Sequence, residues 1–279
     1  MKAMILAAGL GTRLKPITDK IPKALVEVGG VPMLERVILT LKRQGFSYIV
    51  VNVHHFADQI IDFLRVGDFG VEVVVSDESG SLLDTGGGIV KAAPLLFGPD
   101  SSPVLIHNVD IISNADLQAL MREASDTPTL LVSRRDSSRK LIFDKEMRLI
   151  GWHDLKTDTF RPSYIQSLMT QNPHIAHTTL KNLTDPIDLK DDLDLKDDID
   201  LTDDIDLKDL TELAFSGIYA VTQSMVQEMK SLEGEGKYSV MDYFLNPKRE
   251  VTIKGLLDND LKLLDIGKPA TLSQASDFI

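Results

Sequence analysis

The chain has 279 residues, of which 43% are hydrophobic and 26% are charged, and this composition excludes collagen-like and intrinsically disordered proteins. It contains no cysteine, so disulfides, thiolate metal ligation and a cysteine nucleophile are excluded, and a cytoplasmic location is expected. The 42 acidic and 30 basic residues give a net charge of −12, which argues against binding nucleic acid or an anionic membrane. No apolar run is long enough to predict a membrane-spanning helix.

Hydrophobic periodicity predicts strands that alternate with helices up to residue 134. The predicted strands are Ala3–Ala7, Tyr48–Val53, Val71–Val75, Val104–His107 and Thr129–Ser133, and the predicted helices are Pro32–Gln44, Ala57–Leu64, Gly88–Pro94 and Ala115–Ala124. The strands have no polar alternate face, as expected when helices cover both sides of a parallel sheet. The pattern therefore predicts an α/β fold with a doubly wound, mostly parallel sheet.

After residue 134 the pattern changes to short extended segments with fewer helices, at Lys140–Asp144, Arg148–Trp152 and Leu213–Val221. Residues 187–210 are four tandem hexapeptides of the type Ile-Asp-Leu-Lys-Asp-Asp, and they contain 11 Asp and 3 Lys. We expect a solvated, low-complexity acidic insertion over 183–211 that takes no part in the site. The prediction is a single domain over 1–279, with a larger half at 1–134 and a smaller mixed half at 135–279.

A glycine-containing loop follows the first predicted strand and reads Leu6-Ala7-Ala8-Gly9-Leu10-Gly11-Thr12-Arg13. Glycine lets backbone N–H groups approach phosphate oxygens, although an ordinary tight turn also explains the two glycines. Arg13 and Lys23 supply two cations that suit a triphosphate. A dinucleotide fingerprint is excluded because Leu14 stands at its third glycine, and a P-loop is excluded because no Gly-Lys-Ser/Thr occurs.

The segment Leu6–Leu25 resembles the signature of the sugar-1-phosphate nucleotidyltransferases, Gly-x-Gly-Thr-Arg-Leu-x-Pro-Leu-Thr followed by Pro-Lys-Pro-Leu. Three later segments are similar to family motifs in the same order. Asp84–Ile89 resembles the loop that reads the base, Asn108–Asp110 resembles the Asn-Gly-Asp metal motif, and Leu264–Pro269 resembles the motif with the second metal-binding carboxylate. The resemblance implies a Rossmann-like nucleotidyltransferase fold with a smaller sugar-binding half.

The resemblance also implies a role for individual residues. Arg13 and Lys23 are expected to be catalytic, and Asp110 and Asp265 are expected to hold Mg²⁺, which binds one or two carboxylates together with phosphate oxygens and water. The expected nucleotide contacts are Leu6, Ala8, Gly9, Gly11, Thr12, Arg13, Lys23, Gly86, Gly87 and Asn108, and the expected sugar contacts are Gly151, Ser216 and Gly217.

Each of these roles has a plainer alternative. Asp110 could cap the following helix, although Asn114 already supplies a cap residue. Asp265 could be a turn residue, and the glycines at 86–88 could form a helix entry. His107 lies within an apolar strand and is expected to be a core histidine.

The short core most resembles N-acetylmuramate-1-phosphate uridylyltransferases, followed by mannose- or heptose-1-phosphate guanylyltransferases. The implied reaction is Mg²⁺-dependent transfer from an NTP, with UTP favoured, to a sugar 1-phosphate such as N-acetylmuramate 1-phosphate, giving an NDP-sugar and pyrophosphate. The acceptor phosphate is itself the nucleophile, so no general base is required. No protein partner is inferred.

Three alternatives stay open at this point. The first is GTP-dependent transfer to mannose or heptose 1-phosphate, and the second is a catalytically silent, ligand-binding homologue. The third is cytidylyl transfer to an alcohol phosphate such as phosphocholine. The Glu-Lys-Pro segment of larger relatives is absent, so the cation that meets the acceptor phosphate is also open, with Arg134, Arg135 and Arg139 as candidates.

Overall fold

The computed structural model describes residues 1–98, 102–162, 165, 209–267, 270–272 and 275. The chain divides into two compact units, one made of Met1–Ser133 and Phe215–Ile279 and the other of Arg134–Ala214. All of the hexapeptide repeat except its last two residues lies outside the described residues, as do Lys268 and Pro269, so the expectations about them stay predictions. Among the described residues, no helix has the length and apolar character that crossing a membrane requires.

The described elements are numbered in chain order. The strands are β1 Lys2–Leu6, β2 Glu27–Val28, β3 Val31–Pro32, β4 Tyr48–Val53, β5 Glu72–Asp77, β6 Val104–Asn108, β7 Ile111–Ser113, β8 Thr129–Ser133, β9 Arg139–Phe143, β10 Leu149–Asp154, β11 Thr159–Arg161, β12 Thr211–Val221, β13 Lys254–Leu257 and β14 Leu263–Asp265. The α-helices are α1 Met33–Arg43, α2 Ala57–Val66, α3 Asp84–Leu96, α4 Leu117–Glu123, α5 Gln223–Glu233 and α6 Val240–Phe244.

The sheet of the first unit is mixed and mostly parallel. Its strands β6, β1, β4 and β5 lie side by side in that order and run parallel. Residues Ile218–Val221 of β12 pair antiparallel with β6. Ala3 and Ile5 pack in one core cluster with residues of α1, whereas Met4, which points to the other face, is also fully buried. Both faces are therefore covered, which confirms the predicted α/β, Rossmann-like fold.

The amphipathic pattern of α1 explains why this segment is helical and how it packs. Its buried residues recur three or four positions apart and are Met33, Leu34, Val37, Ile38 and Leu41. Burying each of these side chains contributes about 1.5–3 kcal/mol. Pro32 directly precedes the first turn, where its missing N–H costs no hydrogen bond. The helix therefore covers the sheet with one continuous apolar stripe.

Two predicted helices begin elsewhere. Helix α3 begins at Asp84 rather than at Gly88, because tertiary packing outweighs the low helix propensity of the glycines. Helix α4 begins at Leu117, and its cap is Asp116, whose side chain accepts a hydrogen bond from the Ala119 N–H at 2.9 Å. The expectation that Asn114 caps this helix is wrong, since its side chain instead bonds the backbone of the 260–262 turn.

The second unit contains a small antiparallel sheet. In it β10 pairs with β9 and with β11, and residues Thr211–Leu213 of β12 pair with β9. The three extended segments predicted after residue 134 are thus strands. Leu141, Phe143 and Phe160 are buried here.

A buried histidine links three parts of this second sheet. His153 is 4% exposed, and its ring stacks on Phe160 with centroids 3.9 Å apart. Its Nδ1 lies 2.7 Å from Glu212 Oε1, and its Nε2 lies 3.1 Å from Asp158 Oδ1. Burial by itself lowers the pKa of His153, but the hydrogen bonds and charges of Glu212 and Asp158 outweigh burial and raise the pKa above its ordinary value. Both carboxylates thus favour the charged ring.

This pKa shift predicts a pH-dependent stability. A pKa raised by folding stabilises the fold fully below the unfolded value of about 6.5, and the stabilisation is lost as pH rises through the folded pKa. We therefore expect the Tm advantage of the wild type over His153→Gln to be largest below about pH 6.5 and to shrink as the pH rises above that value. Thermal unfolding of both proteins measures this advantage, and an advantage that stays constant or grows with pH contradicts the assignment.

Candidate functional site

A cavity opens at the carboxyl ends of β1, β4 and β6, the edge at which open α/β sheets bind ligands. Its volume is about 240 Å³. Its lining residues are Leu6, Ala8, Gly9, Arg13, Lys23, Asn52, Leu82, Asp84, Thr85, Asn108 and Asp110. Most predicted nucleotide contacts are on this list, together with both predicted catalytic cations and one of the two predicted metal carboxylates.

The glycine loop that follows β1 folds tightly onto the segment carrying Lys23. Gly11 has a φ of +65°, and a Cβ there would lie 2.9 Å from Thr18 Cγ2 and 3.0 Å from Lys23 Cβ. The hydroxyl of Thr18 donates a hydrogen bond of 2.8 Å to the Gly11 carbonyl. Glycine is therefore required at position 11 by both conformation and space. Thr12, which is not among the lining residues, begins a single 3-10 turn that ends at Leu14.

Four predicted charges meet at one end of the cavity. The Lys23 ammonium donates a hydrogen bond to Asp110 Oδ2, and both side chains are largely buried. Arg13 Nη2 lies 3.9 Å from Asp110 Oδ2, and Arg13 Nη1 lies 4.0 Å from Asp265 Oδ2. Half of the Arg13 side chain is exposed, so its guanidinium is open to a ligand. Two cations and two carboxylates thus form one connected group.

Strand pairing explains how Asp265 reaches Asp110. Strand β14 pairs antiparallel with β7, so that Asp265 lies opposite Ile111, the residue after Asp110. The Ile266 N–H also donates a hydrogen bond of 2.9 Å to the Asp110 carbonyl. A further bond, from the Gly267 N–H to Asp265 Oδ1 at 2.7 Å, orients the second carboxylate. Two acids distant in sequence become neighbours through this short sheet.

The pair of carboxylates fits one kind of metal better than others. Among the described residues, no group of three or more His, Cys, Asp or Glu side chains is arranged to hold a metal ion. A zinc site takes three or four protein ligands, whereas Mg²⁺ takes one or two carboxylates and completes its shell with phosphate oxygens and water. Asp110 and Asp265 could therefore hold Mg²⁺ together with a bound phosphate.

The predicted base-reading glycines lie in the first turns of α3. The N–H groups of Gly86 and Gly87 donate to the Tyr238 carbonyl at 3.0 and 3.4 Å. Neither glycine belongs to the cavity lining, to which the same segment contributes Leu82, Asp84 and Thr85. A direct contact between these glycines and a base stays a prediction, and close packing accounts for them here.

None of the three predicted sugar contacts is among the residues that line the cavity. Gly217 has a φ of +78°, and a Cβ there would lie 2.7 Å from Asn108 Nδ2, so this glycine packs directly behind a lining residue. The hydroxyl of Ser216 is buried and bonds the Ile218 backbone. Gly151 lies in β10 of the second unit. The candidates for binding the acceptor phosphate, Arg134, Arg135 and Arg139, belong to the same unit. Contact of the two glycines and Ser216 with a sugar stays a prediction, as does contact of an arginine with the acceptor phosphate.

Sequence reasoning missed one buried polar residue of the lining. Asn52 is 2% exposed, and its Oδ1 accepts a hydrogen bond of 2.7 Å from the Ala7 N–H. Its signal was present, because Asn52 is a polar residue near the carboxyl end of an apolar strand. Its partner Glu78, which is 0% exposed, gave no comparable signal.

A larger cleft of about 500 Å³ lies between α1 and the β7–α4 segment. Its lining includes Arg36, Lys42, Arg43 and His107 but no carboxylate, so it lacks the charges that the predicted chemistry needs. His107 is 3% exposed, as expected for a core histidine, and burial lowers its pKa to about 4. The smaller cavity is therefore the candidate site.

Known proteins resemble this chain in sequence and in fold. The model of the MobA-like NTP transferase domain matches residues 3–188. An N-acetylmuramate alpha-1-phosphate uridylyltransferase from Neisseria meningitidis serogroup B is 43% identical over 129 residues, which are 46% of this chain and 54% of that protein. A mannose-1-phosphate guanyltransferase from Aspergillus oryzae is 33% identical over 145 residues, which are 50% of this chain and 39% of that protein. The chain thus matches about half the length of these curated relatives or less.

A solved structure extends the fold comparison to nearly the whole chain. HddC from Yersinia pseudotuberculosis superposes with a TM-score of 0.68 at 20% identity, covering 99% of this chain and 98% of that one. At this identity the likeness concerns the fold, and it agrees with the nucleotidyltransferase fold expected from the motifs. The family model covers more than half of the chain, including the glycine loop, Lys23 and Asp110. The chain therefore belongs to the family of MobA-like NTP transferase domains.

Proposed function

We propose that the protein transfers a nucleotidyl group from an NTP, preferably UTP, to a sugar 1-phosphate. The observation that carries this proposal is the group of Arg13, Lys23, Asp110 and Asp265 at the ligand-binding edge of the sheet. Two cations suit the phosphates of an NTP, and two carboxylates suit a metal that accompanies them. A catalytically silent homologue has no need to keep all four.

Each of the four residues has a proposed role in the reaction. Lys23 and Arg13 bind the triphosphate and neutralise charge, one at the transferred phosphoryl group and one at the leaving pyrophosphate. Asp110 and Asp265 would hold Mg²⁺, and the ion would supply further charge neutralisation. An oxygen of the acceptor phosphate forms the new bond to the α-phosphorus, and the bond to pyrophosphate breaks. No proton moves in this step, so positioning and electrostatics suffice.

The named relatives support the choice of substrates. The first is called an N-acetylmuramate alpha-1-phosphate uridylyltransferase, which favours UTP and N-acetylmuramate 1-phosphate. A second candidate is GTP with mannose or heptose 1-phosphate, because another relative is a mannose-1-phosphate guanyltransferase and one HddC structure is a complex with GMP-PN. We also propose a cytoplasmic location, which suits a chain without cysteine.

The test is a matrix of four NTPs against a panel of sugar 1-phosphates with Mg²⁺, with pyrophosphate release as the readout. We expect release only when both substrates are present, and most of it with UTP. Equal release with NTP alone, or none with any pair, contradicts transfer. A preference for CTP with phosphocholine moves the assignment to an alcohol-phosphate cytidylyltransferase.

Arg13→Ala tests the role of the more exposed cation. We expect kcat to fall about 100-fold, because removing one donor to a developing charge typically has this effect. The KM for the sugar 1-phosphate should change little, since the proposed partner of Arg13 is the triphosphate. Arg65→Ala, at an exposed pair with Asp62, is the matched control. Wild-type kcat in Arg13→Ala excludes this role.

A further inference from the structure

A fully buried carboxylate lies beside the cavity, and the proposed chemistry does not use it. Glu78 directly follows β5 and is 0% exposed. Among the described residues, none forms an ion pair with its side chain within 4.0 Å, although burying an unpaired carboxylate is costly. Two hydrogen bonds and, to a lesser extent, the nearby charge of Lys91 offset part of this cost.

Glu78 is the centre of a line of hydrogen bonds that runs from Ala7 through Asn52 and Glu78 to Leu83. Its Oε1 accepts from Asn52 Nδ2 at 2.8 Å, and its Oε2 accepts from the Leu83 N–H at 3.3 Å. Asn52 Oδ1 in turn accepts from the Ala7 N–H at 2.7 Å. Ala7 opens the glycine loop, and Leu83 precedes α3. Their neighbours Ala8 and Leu82 both line the cavity, so the hydrogen bonds connect two segments of its wall.

The chemistry of this line requires an acid at position 78. Both partners of the side chain are N–H donors, and only a carboxylate presents an acceptor on each of its two atoms. Asn52 cannot turn its amide around, because its oxygen is engaged with Ala7. A glutamine at position 78 must therefore point its own NH₂ at one donor. Gly88 supplies the space, since a Cβ there would lie 2.7 Å from Glu78 Oε1.

We propose that Glu78 is a positioning residue for the nucleotide, which it serves by fixing the glycine loop and the Leu82–Thr85 wall relative to each other. It acts through Asn52 and the Leu83 N–H and touches no substrate itself. The inference rests on the proposed function, because it assigns this cavity to an NTP.

Glu78→Gln keeps the shape of the side chain and removes one acceptor. We expect the Kd for UTP with Mg²⁺ and the KM for UTP to rise about 10-fold, which corresponds to leaving one buried donor unsatisfied. The KM for the sugar 1-phosphate should stay within about twofold, because neither wall contacted by Glu78 is assigned to the sugar. Glu123→Gln, an exposed glutamate of the same unit, is the matched control.

An exchange variant provides the decisive measurement. In Asn52→Asp/Glu78→Gln, the aspartate at position 52 accepts from Ala7 and from the glutamine NH₂, and the glutamine oxygen accepts from Leu83. Every hydrogen bond is restored with no change in net charge, so we expect UTP affinity to recover to within about twofold of wild type. A general loss of structure in Glu78→Gln would not be reversed selectively for UTP, whereas lost positioning is.

The outcomes separate this inference from the proposed function. Wild-type protein that binds no NTP contradicts the proposed function. The hydrogen-bond line is then tested by amide exchange, with faster exchange at Ala7 in Glu78→Gln and recovery in the exchange variant expected. Wild-type UTP affinity in Glu78→Gln, or a folded exchange variant that binds UTP weakly, overturns the positioning role. If Glu78→Gln fails to fold, the exchange variant alone decides, by the same affinity criterion.

Discussion

Asp110→Asn is expected to lower nucleotidyl transfer at saturating substrates by at least about 100-fold, because it removes one of the two carboxylates proposed to hold the metal. Asparagine keeps the shape of the side chain, so β6 and its neighbours should be retained. The same substitution removes the negative charge that pairs with the Lys23 ammonium, a largely buried group. The variant therefore loses the metal ligand and leaves its cationic neighbour unpaired.

The rate measured against Mg²⁺ concentration separates these two effects. A weakened metal site requires more Mg²⁺ for half-maximal rate, whereas misplacement of Lys23 lowers the rate at all Mg²⁺ concentrations. Asp260→Asn, which removes an exposed carboxylate from the same unit, is the control and should behave as wild type. Wild-type turnover and Mg²⁺ dependence in Asp110→Asn would show that Asp110 has no part in the reaction.

Gly87→Ala is expected to lower the free energy of unfolding, although alanine usually stabilises a helix. In an unconstrained helix the change contributes about 0.5–1 kcal/mol of stability. Here the new Cβ would lie 2.1 Å from the Gly236 carbonyl oxygen and 3.1 Å from Leu83 Cβ. The nearest atom belongs to the backbone, so no side chain can rotate away. We expect overpacking to cost about 1–3 kcal/mol, which reverses the usual sign.

Urea denaturation of the variant measures this cost. Gly80→Ala is the control, because nothing lies within 4 Å of a Cβ at that position. It should stay within about 0.5 kcal/mol of the wild type. A Gly87→Ala protein as stable as the wild type would mean that the 236–238 segment moves freely. That segment holds α3 through the Tyr238 carbonyl, so UTP binding should weaken along with stability.

Local patterns were sufficient for the predicted strands and for the start of α2, but not for the starts of α3 and α4. Strands β4 and β8 have the predicted bounds, because a buried strand is a continuous apolar run in the sequence. Helix α3 begins earlier than predicted because its glycines pack against the Tyr238 region, a contact that no local pattern carries. The cap of α4 was misassigned for a similar reason, since Asn114 is engaged by a distant turn.

The candidate site likewise contains residues that the sequence predicted and residues that it did not. Arg13, Lys23 and Asp110 belong to motifs with fixed spacing near strand ends, so the sequence was enough to predict that they lie together. The place of Asp265 depends on the pairing of β14 with β7, and resemblance rather than spacing predicted it. Asn52 was recognisable as a polar residue near a strand end, but its pairing with Glu78 depends on complementary donors and acceptors across three strand ends, which no local pattern carries.

The pairing of β14 with β7 also sets the order in which the site is completed during synthesis. A chain emerging from the ribosome at about 5–20 residues per second presents β1, β4, β5 and β6 long before β14. The parallel sheet and its glycine loop can therefore form while the nascent chain still has only one of the two carboxylates. The proposed site is complete only when β14 (Leu263–Asp265) pairs with β7 and brings Asp265 opposite Ile111.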